Sequence, residues 1–157
     1  MIPVPASDQA ARWTNLATGA NVAVSSTSSG RAKGLNDRRV FLGQGDNRHW
    51  VASTSQSPTS QWVTLVFPVP VTVRTVRLYN LPSGYGIQVN NATVRLYSDA
   101  AGNNQVASNS SGALSTSGTN VSFSDVLVRM VRIEFNAVNG NAAGLAEVEV
   151  IARAEAP

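Results

Sequence analysis

The chain has no cysteine, which excludes disulfide frameworks and thiolate metal sites and leaves the redox compartment open. Charge is scarce: 13% of residues are charged, against about 25% in an average domain. Lysine occurs once, at Lys33, and histidine once, at His49. No apolar run is long enough to span a bilayer as a helix, so no transmembrane segment is expected. The opening Met1-Ile2-Pro3-Val4-Pro5 lacks a charged stretch leading into an apolar one, so no signal peptide is read there. The basic residues are scattered, without a stripe of interleaved aromatics, and nucleic acid is not an expected partner. A nucleophilic triad would have to rest on His49 alone, and no Gly-x-Ser-x-Gly elbow is present. The expectation is a protein without catalytic activity.

Ser, Thr, Asn and Gly take the place of the missing charge. Surface helices normally carry Glu and Lys on their exposed faces, so this composition favours strands and turns. The length of 157 residues suits one domain with a sizeable core. Alternating or β-branched stretches fall at residues 21–26, 50–53, 62–67, 73–79, 92–98, 105–108, 121–124, 127–135 and 145–151. Pro68 and Pro70 are expected to end the strand at 62–67. In 73–79 the alternation groups Val73, Thr75, Arg77 and Tyr79 on one face. Val94 and Leu96 should point inward, as should Val131, Ile133 and Phe135. About eight strands separated by turn signals, with no useful helix, predict an all-β sandwich or jelly roll.

Two segments stand out. Residues 27–49 carry no periodicity and hold much of the charge, as long functional loops do. The stretch from Gly144 to Ile151 reads as a strand whose Val148 and Val150 face the core while Glu149 faces out. A carboxylate at the mouth of such a strand, Glu147, is either solvated or a hard oxygen ligand.

In order along the chain come Asn15-Leu16-Ala17, Ser25-Ser26, an Asp-containing loop closed by Trp50, Trp62-Val63-Thr64-Leu65, Val76-Arg77-Leu78-Tyr79, Val131-Arg132-Ile133 and Leu145-Ala146-Glu147-Val148-Glu149-Val150. This series resembles the discoidin domain, also called coagulation factor V/VIII type C or galactose-binding-like. The resemblance spans residues 13–152, leaving 1–12 as a linker or arm and 153–157 as a linker end. It implies an eight-stranded antiparallel jelly-roll β-sandwich and a non-catalytic carbohydrate-binding module. The glycans expected are of galactose or amino-sugar type. The module would anchor a secreted, extracellular glycan-active enzyme, its parent catalytic domain, or act as a lectin. The other reading is a cell-surface or membrane adhesion module of discoidin type, for which Phe41-Leu42 and Leu81 would be the apolar loop tips.

The resemblance also implies a structural calcium ion. Its ligands map to Asp37 and Glu147, with backbone carbonyls from Lys33, Gly34 and Leu35. The family's usual Asp-Gly reads Asp37-Arg38 here. Without a metal, Asp37 would cap a turn and Glu147 would pair with an arginine. For the sugar, Asp46, Arg48, His49, Asn80, Tyr85 and Asn139 form the candidate site. Polar loop groups set the orientation of hydroxyls, and a ring supplies stacking area. Trp50 and Trp62 are expected in the core, and Trp13 as a staple on the sandwich edge.

Overall fold

The computed structural model describes residues 12–37 and 49–154. Its strands are β1 (Thr14–Asn15), β2 (Asn21–Val24), β3 (Ser29–Gly30), β4 (Trp50–Val51), β5 (Trp62–Tyr79), β6 (Gln88–Tyr97), β7 (Gln105–Ser110), β8 (Thr119–Asn139), β9 (Gly144–Leu145) and β10 (Glu147–Ala154). All pairings are antiparallel. The architecture is the expected all-β jelly-roll sandwich.

Two long strands, β5 and β8, run through both layers. Their first stretch of pairing, Trp62–Glu134 to Val66–Met130, is flanked by β2 on one side and by β6 and β7 on the other. Their second stretch, Val71–Val128 to Leu78–Thr119, is flanked by β10 and then β1. Between the two, the register shifts and residues 67–70 face Arg129 alone. Pro68 and Pro70 have no N–H to give to a ladder. They do not end the strand, as expected from sequence; they mark the corner at which it changes layer. Arg129 Nε donates to the Phe67 carbonyl at 2.9 Å, occupying a backbone acceptor at that corner.

A second irregularity corrects the expected faces of residues 73–79. Arg74 is an extra residue against β10, while on the β8 side it lies alone opposite residues 123–125, and one extra residue reverses the alternation. Val73 is therefore buried with Val76 and Leu78 rather than sharing the face of Thr75, Arg77 and Tyr79. Across from it, Asp125 adopts a left-handed φ of 56°, which Asp tolerates better than most side chains. Its carboxylate accepts from Arg74 Nε and Nη2 at 3.2 and 3.3 Å. Arg74 also lies 3.8 Å above the ring of Trp13, and Arg153 approaches the same ring at 5.0 Å. Trp13 thus packs against arginines of β5 and β10; residues 1–11 of the arm it was expected to staple lie outside the described residues.

The other alternations hold. Val94 and Leu96, Val131, Ile133 and Phe135, and Val148 and Val150 all join one core fed by both layers. Trp50 lies within it, its ring 5.9 Å from that of Phe135. Trp62 does not. It is half-buried on an outer face, with the Arg132 guanidinium over its ring. It pairs directly with Glu134, and that row faces outward. β10 runs past residue 152, with Arg153 opposite Thr72 and Ala154 opposite Val71.

The Ser25-Ser26 landmark has a physical role. Both hydroxyls donate to Oε1 of the buried Gln61, at 2.6 and 2.8 Å. They also accept from the backbone N–H groups of Trp62 and Ser53. This polar node joins the end of β2 to the start of β5.

Candidate functional site

The ends of β5, β8 and β9 and the starts of β6 and β10 meet at one end of the sandwich. There the expected featureless stretch 27–49 contains structure in its first part, β3 and a 3-10 turn at Ala32–Leu35, and β4 follows it directly. β3 pairs with β4, and β4 with β9, so the loop is closed by a three-stranded clasp tied to the segment just before β10. Ala52 N–H adds a bond to the Ala143 carbonyl, and Ala146 N–H one to Tyr79. Among the described residues, backbone pairing of β4 with β9 ties this clasp to the segment just before the last strand. The clasp is tight at Gly30, whose φ is +70° and where a Cβ would sit 2.0 Å from the His49 carbonyl oxygen.

His49 is 2% exposed. Its Nε2 lies 3.0 Å from Ser29 Oγ, and its ring is 5.1 Å from that of Tyr85. The expected sugar donor is instead a packing element that joins the clasp to the 80–87 loop. Leu81, expected as an exposed apolar tip, is fully buried. With Val51, Ile87, Ala142 and Ala146 it forms a small second core, against which Tyr79, Tyr85 and Val138 pack.

Above this second core lies a cavity of about 250 Å³. Asn80, Leu81, Ser83, Gly86 and Ile87 line it from the loop after β5, Gln88 from the start of β6, Thr116 from the β7–β8 connection and Asn139 from the end of β8. Asn80 is buried and its amide is engaged. It donates to Gln88 Oε1 at 2.9 Å and accepts from Val89 N–H at 3.3 Å. Gln88 in turn donates to the Val89 and Leu114 carbonyls. These two amides brace the cavity wall. Ser83, Thr116 and Asn139 are exposed, and their side chains make no hydrogen bond to a described residue.

Of the six expected sugar contacts, Asn80 and Asn139 line this cavity, Tyr85 sits half-buried in the same loop, between the lining residues Ser83 and Gly86 in sequence, and His49 packs against Tyr85. Asp46 and Arg48, like Phe41-Leu42, lie outside the described residues. Sequence reading missed Ser83, Gln88 and Thr116. Thr116 sits in a Ser/Gly/Thr-rich stretch with no local signal. It is placed there by Asn80 N–H bonding the Ser115 carbonyl at 3.0 Å and by Thr119 Oγ1 accepting from Ser115 N–H at 2.9 Å.

Beside the cavity, Tyr79 O–H donates to Glu149 Oε1 at 2.6 Å, and Arg77 reaches the same oxygen at 3.1 Å. Burial, and then the hydrogen bond to Glu149, push the Tyr79 phenol above its ordinary pKa. Glu149 is thus an outward rung paired within the sheet face.

Calcium would require six to eight oxygen donors. The residues expected to supply them sit as follows. Lys33, Gly34 and Leu35 belong to a 3-10 turn, Ala32–Leu35, that lies against β10. Asp37 is half-buried, and Glu147 is 1% exposed at the start of β10. Between the turn and Asp37, the buried Asn36 gives its amide N–H groups to the Ala17 and Ala20 carbonyls. Its Oδ1 has no hydrogen-bond partner among the described residues. Among the described residues no three His, Cys, Asp or Glu side chains cluster as a metal site. The donor chemistry here is hard oxygen with few carboxylates, which fits calcium only if carbonyl oxygens complete the shell. Asp37 and Glu147 would hold the ion, with the Asn36 amide oxygen and the turn's carbonyls as neutral donors.

The fold is shared with solved carbohydrate-binding modules. A fucose-binding module from Streptococcus pneumoniae superposes with a TM-score of 0.72 at 20% identity, covering 88% of this chain and 95% of that one. The lectin domain of lectinolysin, complexed with Lewis B antigen, gives 0.70 at 24%, covering 92% and 98%. The family 32 module of Clostridium perfringens NanJ, in complex with galactose, gives 0.68 at 16%, covering 85% and 94%. No curated protein matches the chain by sequence. The family model described as "Domain of unknown function (DUF7402)" matches residues 15–151, and the chain is accordingly a member of the DUF7402 family, built on the discoidin-like jelly-roll fold.

Proposed function

We propose that this domain is a non-catalytic carbohydrate-binding module that holds one sugar ring in the cavity bounded by Ser83, Thr116 and Asn139. The observation that carries this reading is the cavity's composition. Exposed hydroxyl and amide groups, able to donate and accept, rim a floor made by Leu81 and Ile87. That is the combination a pyranose needs, with its polar hydroxyl edge and apolar C–H face. A volume near 250 Å³ falls below the ~300–1,000 Å³ of drug-sized sites and suits one ring. The similar folds named above, which include fucose-binding and galactose-bound modules, support the same class of ligand. Galactose-type and amino sugars are the first candidates. Attached to a secreted glycan-active enzyme, such a module would raise its local concentration on a polymer.

The test is a glycan array followed by calorimetric titration of the best ligand. Asn139→Ala should weaken binding by up to roughly tenfold, the value of one net hydrogen bond, while leaving the melting temperature unchanged because the side chain is exposed. Binding to no glycan, or an unchanged affinity in this variant, would count against the site.

For the calcium site the prediction concerns stability. Chelator added to calcium-loaded protein should lower the melting temperature, because an ion bound only by the folded state stabilises it by mass action. An unchanged melting temperature would remove calcium from the account.

A further inference from the structure

We infer that the cavity accepts an uncharged sugar and discriminates against sugar carboxylates, an inference that rests on reading the cavity as the glycan site. The net charge of +3 would by itself suggest the opposite, an affinity for uronic acids. The placement of the described cations argues otherwise. Among the described residues, no charged side chain lines the cavity. Strand arginines are committed elsewhere: Arg77 to Glu149, Arg95 and Arg132 to Glu134, Arg74 to Asp125, and Arg153 to the Trp13 ring. Arg129 is bonded to the Phe67 carbonyl at the corner between layers.

The neutral groups cannot substitute for a cation. A carboxylate entering the cavity would lose hydration over the apolar floor and recover only neutral hydrogen bonds, which do not offset the removal of a charge from water. The Asn80 and Gln88 amides are already bonded to each other and to backbone carbonyls, so they cannot turn further N–H groups toward an anion. A hydroxymethyl group at the same position makes no such demand. Ser83, Thr116 and Asn139 can both donate to and accept from it.

The experiment compares matched pairs that differ at one carbon, galactose with galacturonic acid and glucose with glucuronic acid. They are titrated calorimetrically into the whole chain at neutral pH, in low and high salt. The neutral member of a pair should bind at least tenfold more tightly, with an affinity indifferent to salt. Asn139→Lys, which puts a cation on the rim, should narrow that gap by improving uronate binding, most in low salt. Equal or tighter uronate binding by the unaltered protein, weakening as salt rises, would overturn the inference while keeping the cavity as a glycan site. Binding of neither member of any pair, together with a blank glycan array, would instead remove the glycan reading and this inference with it.

Discussion

Replacing Trp50 by alanine is expected to destabilise the domain by about 3–5 kcal/mol, the usual loss for a large aromatic in a core. Trp50 has no exposed surface. It touches the Phe135 ring, and its indole N–H donates to the Ser26 carbonyl at 2.7 Å. Truncation would leave a large void and a part-buried carbonyl without its donor, and the lost hydrogen bond adds about 0.5–1.5 kcal/mol. Against a typical domain stability of about 5–15 kcal/mol, that is much of the total. The melting temperature should fall by roughly 10 °C or more. Trp50 is also half of β4, the middle strand of the clasp. Glycan binding should therefore fail at temperatures where the unaltered chain still binds. Trp50→Phe keeps most of the packing and loses the indole donor, so its stability should lie between the two. A melting curve for Trp50→Ala within a degree of the parent's would contradict this account of the core.

Gly30→Ala is the second large effect expected, and its cause is backbone geometry. The left-handed φ of +70° alone costs an L-residue about 1–2 kcal/mol. The added Cβ would meet the His49 carbonyl oxygen at 2.0 Å, a backbone atom that cannot rotate aside. That oxygen already accepts from Arg31 N–H at 2.9 Å, so the clasp must open for the methyl group to fit. A total loss above about 2 kcal/mol is expected, since the clash adds to the φ cost. The displacement should reach Tyr85 through its contact with His49. Sugar affinity should thus fall together with stability. Gly84→Ala is the control. Its Cβ would meet nothing within 4 Å and it has no left-handed φ, so its melting temperature should stay near the parent's. Equal melting curves for Gly30→Ala and Gly84→Ala would show that the clasp yields easily.

Much of the fold was legible in the sequence because period-two alternation is a local signal. Val94 and Leu96, or Val148 and Val150, declare their face without knowledge of the partner strand. What misled were places where a local rule met a non-local solution. Pro68 and Pro70 look like a strand's end, yet here Arg129, some sixty residues away, occupies a carbonyl at the corner and the strand continues. Arg74 looks like an ordinary rung, and only its register with β10 reveals the bulge.

The candidate site was legible in part. His49, Asn80, Tyr85 and Asn139 belong to one end of the sandwich, as grouped from the sequence. Residue type alone could not tell a ligand contact from a brace, because the same amide can face solvent or be fully bonded. Burial assigns His49 and Asn80 to the bracing framework and leaves Asn139 at the rim. Thr116 carried no signal, since a threonine in a polar loop is recognisable as part of a cavity only once Asn80 N–H has drawn the Ser115 carbonyl beside it.

The sequence by itself determined the class of fold, through alternation and a low share of charge, and it excluded thiol chemistry outright. The order of its landmarks was enough to indicate the discoidin-like frame. Only the tertiary structure decided which polar groups remain available at the cavity and which are consumed in holding it. Availability is a property of hydrogen-bond partners supplied by distant segments, and a chain read in one dimension does not show where those segments meet.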